Sequence, residues 1–129
     1  MQQLHDAVEA DMTRGGLNED VRPWGRFIVL DEGPGFKVKR IEVAAGKRLS
    51  LQSHRHRREQ WTVVQGEAVV SLDGVDHRLV PGGSIGIPRQ ARHRVASAGP
   101  EPLVFIEVQT GDYLGEDDIT RHEDDFNRT

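Results

Sequence analysis

The stretch from residue 50 to residue 66 reads "SLQSHRHRREQWTVVQG" and brings together Gln52, His54, His56 and Glu59. Amide oxygens, imidazoles and carboxylates are the donors a protein offers to a borderline divalent cation when it has no thiolates. The chain has no cysteine, so disulfides and thiolate sites are closed to it. The same polar residues, interleaved with Arg55, Arg57 and Arg58, would also suit a solvated loop. Gln52 and His54 are two apart, so on a strand both side chains face one way. His56 shares that face. Glu59 is an odd step away and points elsewhere on a continuous strand. It joins the others only if the chain bends within "RHRRE" and Glu59 opens the next strand.

The elements that must hold these groups are short. From Pro23 onward the chain runs through "WGRFIVL", "FKVKRIEVAA", "RLSLQSH", "QWTVVQG", "EAVVSLDG", "HRLV", "SIGIP", "HRVASA" and "PLVFIEVQ". Between them stand "DEGPG", Asp73-Gly74, "PGG" and "AGPEP". Short apolar or alternating runs separated by turn residues predict an all-β sandwich or barrel. No long helical period interrupts them, which argues against a parallel α/β sheet. Residues 1–21 form a polar N-terminal extension with a weak helical repeat at Leu4, Val8 and Met12, and residues 22–129 the β domain. The acidic tail "GEDDITRHEDDFNRT" is expected to carry a turn of helix. Trp24 is expected to cap one barrel end, and His5, His77 and His122 to be solvated.

Composition narrows the class. A chain of 129 residues suits one domain. Its net charge of −4 argues against nucleic-acid binding, which calls for a basic face. No apolar run approaches the length of a membrane span. The amino terminus lacks the basic and apolar blocks of a signal peptide, so a cytoplasmic protein is expected. Exposed sheet edges favour pairing, so a homodimer is expected.

Two spacings stand out. Gly46 is followed after five residues by Gln52, then His54, Glu59 and Gly66. Gly82 is followed after five residues by Pro88, then His93 and Ser97. Together they resemble the paired motifs of the cupins, G-x5-H-x-H-x(3,4)-E-x6-G and G-x5-P-x-G-x2-H-x3-N. Gln52 stands for the first motif's leading histidine, Gln90 for the second motif's inner glycine, and Ser97 for its asparagine. The resemblance implies a double-stranded β-helix, or jelly-roll barrel. It also implies one divalent metal on Gln52, His54, Glu59 and His93, with Zn first and Mn, Fe, Co or Ni also suited. The pair His54 and His56 spells the usual H-x-H as well, but leaves only two residues before Glu59. His56 is then free to act beside the pocket.

A narrower resemblance is to type II phosphomannose isomerases, which commonly form the C-terminal part of bifunctional enzymes. It is carried by "RPWG", "VKRIEVAAG", "LSLQSHRHRREQWTVVQGEA", "SIGIPRQARHR" and "IEVQTGDYLGEDDITRHEDDF". The group's "HRxEHW" reads "HRREQW" here, with Gln60 in place of a histidine. The resemblance implies interconversion of mannose 6-phosphate and fructose 6-phosphate. His56 or Glu107 would be the base. Arg40, Arg121 and Lys39 would receive the phosphate, with Arg55, Arg57 and Arg58 near the mouth, and Arg121 taking part in catalysis. Trp61 and Tyr113 would shape the sugar pocket. The transferase half has no room in this chain, so a separately encoded nucleotidyltransferase is an expected partner. The competing readings are a non-catalytic module for a sugar phosphate or sugar nucleotide, a non-haem iron oxygenase, and a storage barrel.

Overall fold

The computed structural model describes residues 19–128. The weak repeat at Leu4, Val8 and Met12, and His5 with it, lie outside those residues. The described chain forms eleven strands: β1 (Glu19–Arg22), β2 (Gly25–Gly33), β3 (Phe36–Val43), β4 (Leu51–Ser53), β5 (Arg57–Gln65), β6 (Ala68–Leu72), β7 (Val75–Leu79), β8 (Ser84–Ile87), β9 (His93–Ser97), β10 (Leu103–Gly111) and β11 (Thr120–Glu123). They build two antiparallel sheets, ordered β1-β2-β3-β10-β5-β8 and β11-β4-β9-β6-β7. The chain crosses between the sheets repeatedly, which closes a jelly roll around one core.

The nine apolar runs correspond to β2 through β10. Two strands are additional. β1 pairs with β2 from Glu19↔Ile28 to Arg22↔Gly25, so the sheet begins three residues before the boundary drawn at 21/22. The tail corrects the expected helical turn, because residues 120–123 form β11 against β4. Among the described residues no helix is long and apolar enough to cross a membrane.

Alternation places every second side chain inside. On β3 these are Lys39, Ile41 and Val43, on β5 Arg57, Glu59, Trp61 and Val63, and on β10 Leu103, Phe105, Glu107 and Gln109. β10 lies between the other two, with Phe105 opposite Ile41 and Val63. Each strand is therefore apolar towards one end of the barrel and polar towards the other. The apolar end is filled by Phe105, Leu103, Val43, Val63, Val70 and Val95, all essentially inaccessible to solvent. The polar end is where a site can form.

Turn chemistry explains the motif glycines. Gly46, Gly66 and Gly82 all have left-handed φ, at 78°, 80° and 92°. A Cβ on Gly66 would also meet the Pro102 carbonyl oxygen at 2.7 Å. Gln90, in the place of the cupin motif's inner glycine, takes a left-handed φ of 65°. Its N–H donates to the His54 carbonyl at 2.7 Å, so the turn is held although the residue is strained. An L-residue in this region costs about 1–2 kcal/mol, against roughly 0.5–1 kcal/mol of extra unfolded-state entropy for glycine. Gln90→Gly is therefore expected to stabilise the fold by about 0.5–1 kcal/mol, read as a higher urea midpoint at unchanged slope. A lower midpoint would refute the strain.

Candidate metal centre and active-site cavity

The strand registers line up two facing rows. On the five-stranded sheet Arg121, Gln52 and His93 are successive partners across β11, β4 and β9. Directly paired residues project to one face with Cβ atoms about 4.5–5.5 Å apart. On the six-stranded sheet Lys39, Glu107 and Trp61 form a row across β3, β10 and β5, followed by a row containing Gln109, Glu59 and Ile87. His54 follows β4 directly, and the bend expected within "RHRRE" turns the chain into β5. Ligand atoms of His54, Glu59 and His93 all lie within 4.8 Å of one another, and all three residues are buried.

Both histidines are held in the form a metal needs. His54 Nδ1 lies 2.6 Å from the Asp118 carbonyl, and His93 Nδ1 lies 3.0 Å from the Ala91 carbonyl. A carbonyl only accepts, so each Nδ1 carries the proton and each Nε2 keeps its lone pair for the cavity. Burial and then the Arg57 guanidinium bring the His54 imidazolium down to about 4. Burial likewise depresses His93. Neutral imidazoles with unprotonated Nε2, a carboxylate and the nearby Gln52 amide fit a divalent cation. Gln52 is buried, lines the cavity and turns its amide nitrogen to the Ser50 carbonyl at 3.5 Å.

A second carboxylate sits beside the first. Trp61 Nε1–H is shared between Glu59 Oε1 at 2.9 Å and Glu107 Oε1 at 3.0 Å. Glu107 Oε2 accepts from Gln109 at 2.8 Å. Arg57 donates through Nε to Glu59 Oε2 at 2.8 Å and stands 3.3 Å from His54 Nε2. Glu107 has no cation this close. Burial, and then the negative charge of Glu59, push its carboxyl up to about 7.

These groups line one cavity with about 90 Å³ open to water, walled also by Trp24, Phe27, Ile41 and Phe105. Of the residues singled out in the sequence, Gln52, His54, Glu59, Trp61, His93, Glu107, Lys39 and Arg121 all face it. Three do not. Arg40 is on the opposite face of β3 from Lys39 and pairs with Glu42 at 2.8 Å. His56 is half exposed past the bend, 3.5 Å from Asp112. Tyr113 is exposed, donates its hydroxyl to Asp117 and meets the edge of His56. Lys39 is inside but engaged, 2.6 Å from Glu116 and over the Phe27 ring. Trp61 acts here as a donor, packed on Phe105, rather than as an open stacking face. His77 is exposed, but His122 corrects the solvated expectation by bonding Ser53 Oγ at 3.0 Å.

Two residues of the site take roles the sequence reading does not give them. Arg57, expected at the mouth with Arg55 and Arg58, is the only one of the three that is buried. Its offset of two from Glu59 was the available signal, since both then share a face. Asp118 accepts the N–H groups of Arg55 and His56 at 2.9 Å each while its carbonyl holds His54. It therefore fixes the bend and the ligand together, from within "GEDDIT".

The strand order and the buried His-Glu-His group define a cupin. The fold is shared with the Schizosaccharomyces pombe Cnp3 cupin domain, at TM-score 0.67 and 18% identity over 79% of this chain and 72% of that one. Capsular polysaccharide assembling protein CapF of Staphylococcus aureus superposes at TM-score 0.73 and 17% identity, over 81% of this chain and 34% of that one. Residues 12–124 match the family described as Mannose-6-phosphate isomerase C-terminal, and the chain belongs to it. The alginate biosynthesis protein AlgA of Pseudomonas aeruginosa is 50% identical over 86% of this chain. The xanthan biosynthesis protein XanB of Xanthomonas campestris is 49% identical over 84% of it. The mannose-1-phosphate guanylyltransferase ManC of Salmonella typhimurium is 46% identical over 85%. The chain spans 23% of the length of each of these three relatives.

Burial acts with opposite sign on the site's groups. His54 binds fewer protons folded than unfolded between about pH 4 and 6.5, so its contribution to stability grows as pH rises through that window. Glu107 binds more protons folded than unfolded between about pH 4.5 and 7, so its contribution shrinks as pH rises. In metal-free Glu107→Gln protein the opposing carboxyl contribution is gone, and the buried His93 adds to His54 in the same direction. The unfolding free energy of that variant is expected to rise by at least about 2–3 kcal/mol from pH 4 to 6.5. Metal-free wild type should show a visibly flatter rise in the same denaturant titrations.

Proposed function

We propose that this chain is a metal-dependent aldose-ketose isomerase that interconverts mannose 6-phosphate and fructose 6-phosphate. The observation that carries the reading is the pairing, in one cavity, of a His54-Glu59-His93 group with a second buried carboxyl, Glu107. Gln52, His54, Glu59 and His93 would hold one divalent ion. When bound, such an ion polarises hydroxyl and carbonyl oxygens of a sugar. Zn, Mn, Fe, Co and Ni all suit the donor set.

The residues of the chain divide the remaining work. The reaction takes the proton from C2 of the aldose, passes through a cis-enediol and delivers a proton to C1. Glu107 is the group placed to carry that proton. Its oxygens are fixed by Trp61 and Gln109, and burial gives it the basicity of a working general base rather than of a surface carboxylate. Trp61 also holds Glu59, so the base and the metal carboxylate keep a set separation. Arg57 supplies Glu59 with a permanent counter-charge. Trp24, Ile41 and Phe105 keep the inner wall dry, which strengthens each of these contacts. His56 and Tyr113, outside the cavity, are not part of this assignment.

The family match and the AlgA, XanB and ManC relatives support a sugar-phosphate role in polysaccharide precursor synthesis. Each relative extends well beyond the region matched here, so a nucleotidyltransferase is a fitting partner. Incubation of metal-loaded protein with mannose 6-phosphate is expected to yield fructose 6-phosphate, and chelation to abolish it. Glu107→Gln, folded and metal-loaded, is expected to lower kcat by about 10²–10⁴-fold, the range for loss of a positioned base. Binding of the sugar phosphate without turnover by any divalent-metal form would instead mark a non-catalytic module.

A further inference from the structure

We propose that Arg22 and Arg121 form a receptor for a phosphate monoester at the mouth of the cavity, beside the metal centre, with the Asp124-bound Arg128 next to them. This deepens the isomerase reading and rests on it only for the identity of the sugar. The three arginines come from three separate segments, the end of β1, β11 and the C-terminal tail, and all line the same cavity. Convergence of three like charges costs free energy unless an anion joins them.

Among the described residues a close anion is supplied to only one of the three. Arg128 is matched by Asp124, at 2.7 Å and 3.0 Å. Arg22 has only the Val21 carbonyl at 3.2 Å and a looser Asp20 at 3.5 Å, and it lies over the Phe27 ring. Arg121 Nε is buried and has no hydrogen-bond partner among the described residues. Burial and then the charges of Arg128 and Arg22 hold the Arg121 guanidinium below its ordinary value, with Asp124 only partly opposing them. Ser50 Oγ is a further buried, unpartnered group on the cavity wall.

The other cations of the cavity are committed. Lys39 is bonded to Glu116 and Arg57 to Glu59. The sequence-based choice of Lys39 and Arg40 for the phosphate therefore gives way to Arg22, with Arg121 common to both and Arg128 already engaged by Asp124. Guanidinium forks suit a phosphate better than a lone carboxylate, because its three terminal oxygens can accept from more than one fork. Register sets the direction. Arg121 is the direct partner of Gln52, so a bound phosphate would lie next to the metal ligands and the attached sugar would extend inward towards Glu107.

The test is calorimetric titration of the metal-loaded full chain with inorganic phosphate, mannose 6-phosphate and mannose. Arg22→Gln and Arg121→Gln are each expected to weaken phosphate and mannose 6-phosphate binding tenfold or more and to leave mannose binding unchanged. Arg78→Gln, which removes an exposed arginine far from the cavity in the fold, is expected to bind as wild type. Arg121→Lys, checked for native circular dichroism, should recover part of the affinity and so separate charge from folding. The proposal is overturned if wild type fails to bind inorganic phosphate, or if Arg22→Gln and Arg121→Gln bind as Arg78→Gln does. Arginine-dependent phosphate binding without turnover would sink the isomerase reading and leave the receptor standing. Turnover with an unchanged KM in both arginine variants would do the reverse.

Discussion

One indole N–H joins two buried carboxyl groups. Trp61 Nε1 donates to both Glu59 and Glu107, and the rest of the polar end is arranged around that shared bond. Burying an ionised carboxylate costs several kcal/mol unless it is paired. Glu59 is paired with Arg57 and remains available as a ligand. Glu107 receives two neutral donors and no cation in contact, so its proton affinity rises. Two chemically identical side chains thereby take different characters from their surroundings. The separation depends on Trp61 being pinned by Phe105 below it and His93 at its edge. The apolar end of the barrel thus determines the geometry of the polar end.

The strands and the grouping of His54, Glu59 and His93 were legible because both rest on period two. Alternation marks β2 through β10, and the same alternation puts Gln52 and His54 on one face. The bend before Glu59 follows from parity alone. What the sequence did not disclose is set by partners far along the chain. β1 and β11 lack an apolar alternation of their own and exist because β2 and β4 offer free edges. Arg40 and Lys39 are equivalent on paper, and only the register of β3 against β10 decides that Lys39 faces in. Arg57 reads as one of three loop arginines until the bend is placed. Then it falls on the inward face with Glu59.

Departures from the cupin pattern follow the same division. Gln90 holds a left-handed backbone conformation because its N–H is tied to His54, so the loop before His93 keeps its course. Ser97 is buried in the asparagine's place, and its hydroxyl reaches only the Glu101 carbonyl at 3.4 Å. Gln60 lies on the outer face of β5 opposite Gly86, so the change from histidine at that point is outside the cavity. Substitutions on the outer face leave the ligand geometry alone, and the one in a turn is absorbed by a backbone hydrogen bond.

The run from Glu116 to Arg128 gains its distinctive sequence from having to do several things in little length. Glu116 neutralises Lys39, Asp118 closes the bend and orients His54, and Arg121 enters the row with Gln52 and His93. Asp124 then steadies Arg128 through a carboxyl held at about 2 by that same arginine. The cavity wall holds the cations Arg22, Lys39, Arg57, Arg121 and Arg128 against the carboxyls of Glu59, Glu107 and Glu116. Pairing engages Lys39, Arg57 and Arg128, so the surplus positive charge is that of Arg22 and Arg121. A ligand with a negative end and a neutral polyhydroxyl end would be oriented by this asymmetry before any contact with the histidines. A neutral sugar would not feel it. Under the proposed function, discrimination for a phosphorylated substrate would be set by the tail and β1, and the chemistry by β4, β5, β9 and β10, which would separate specificity from catalysis along the chain.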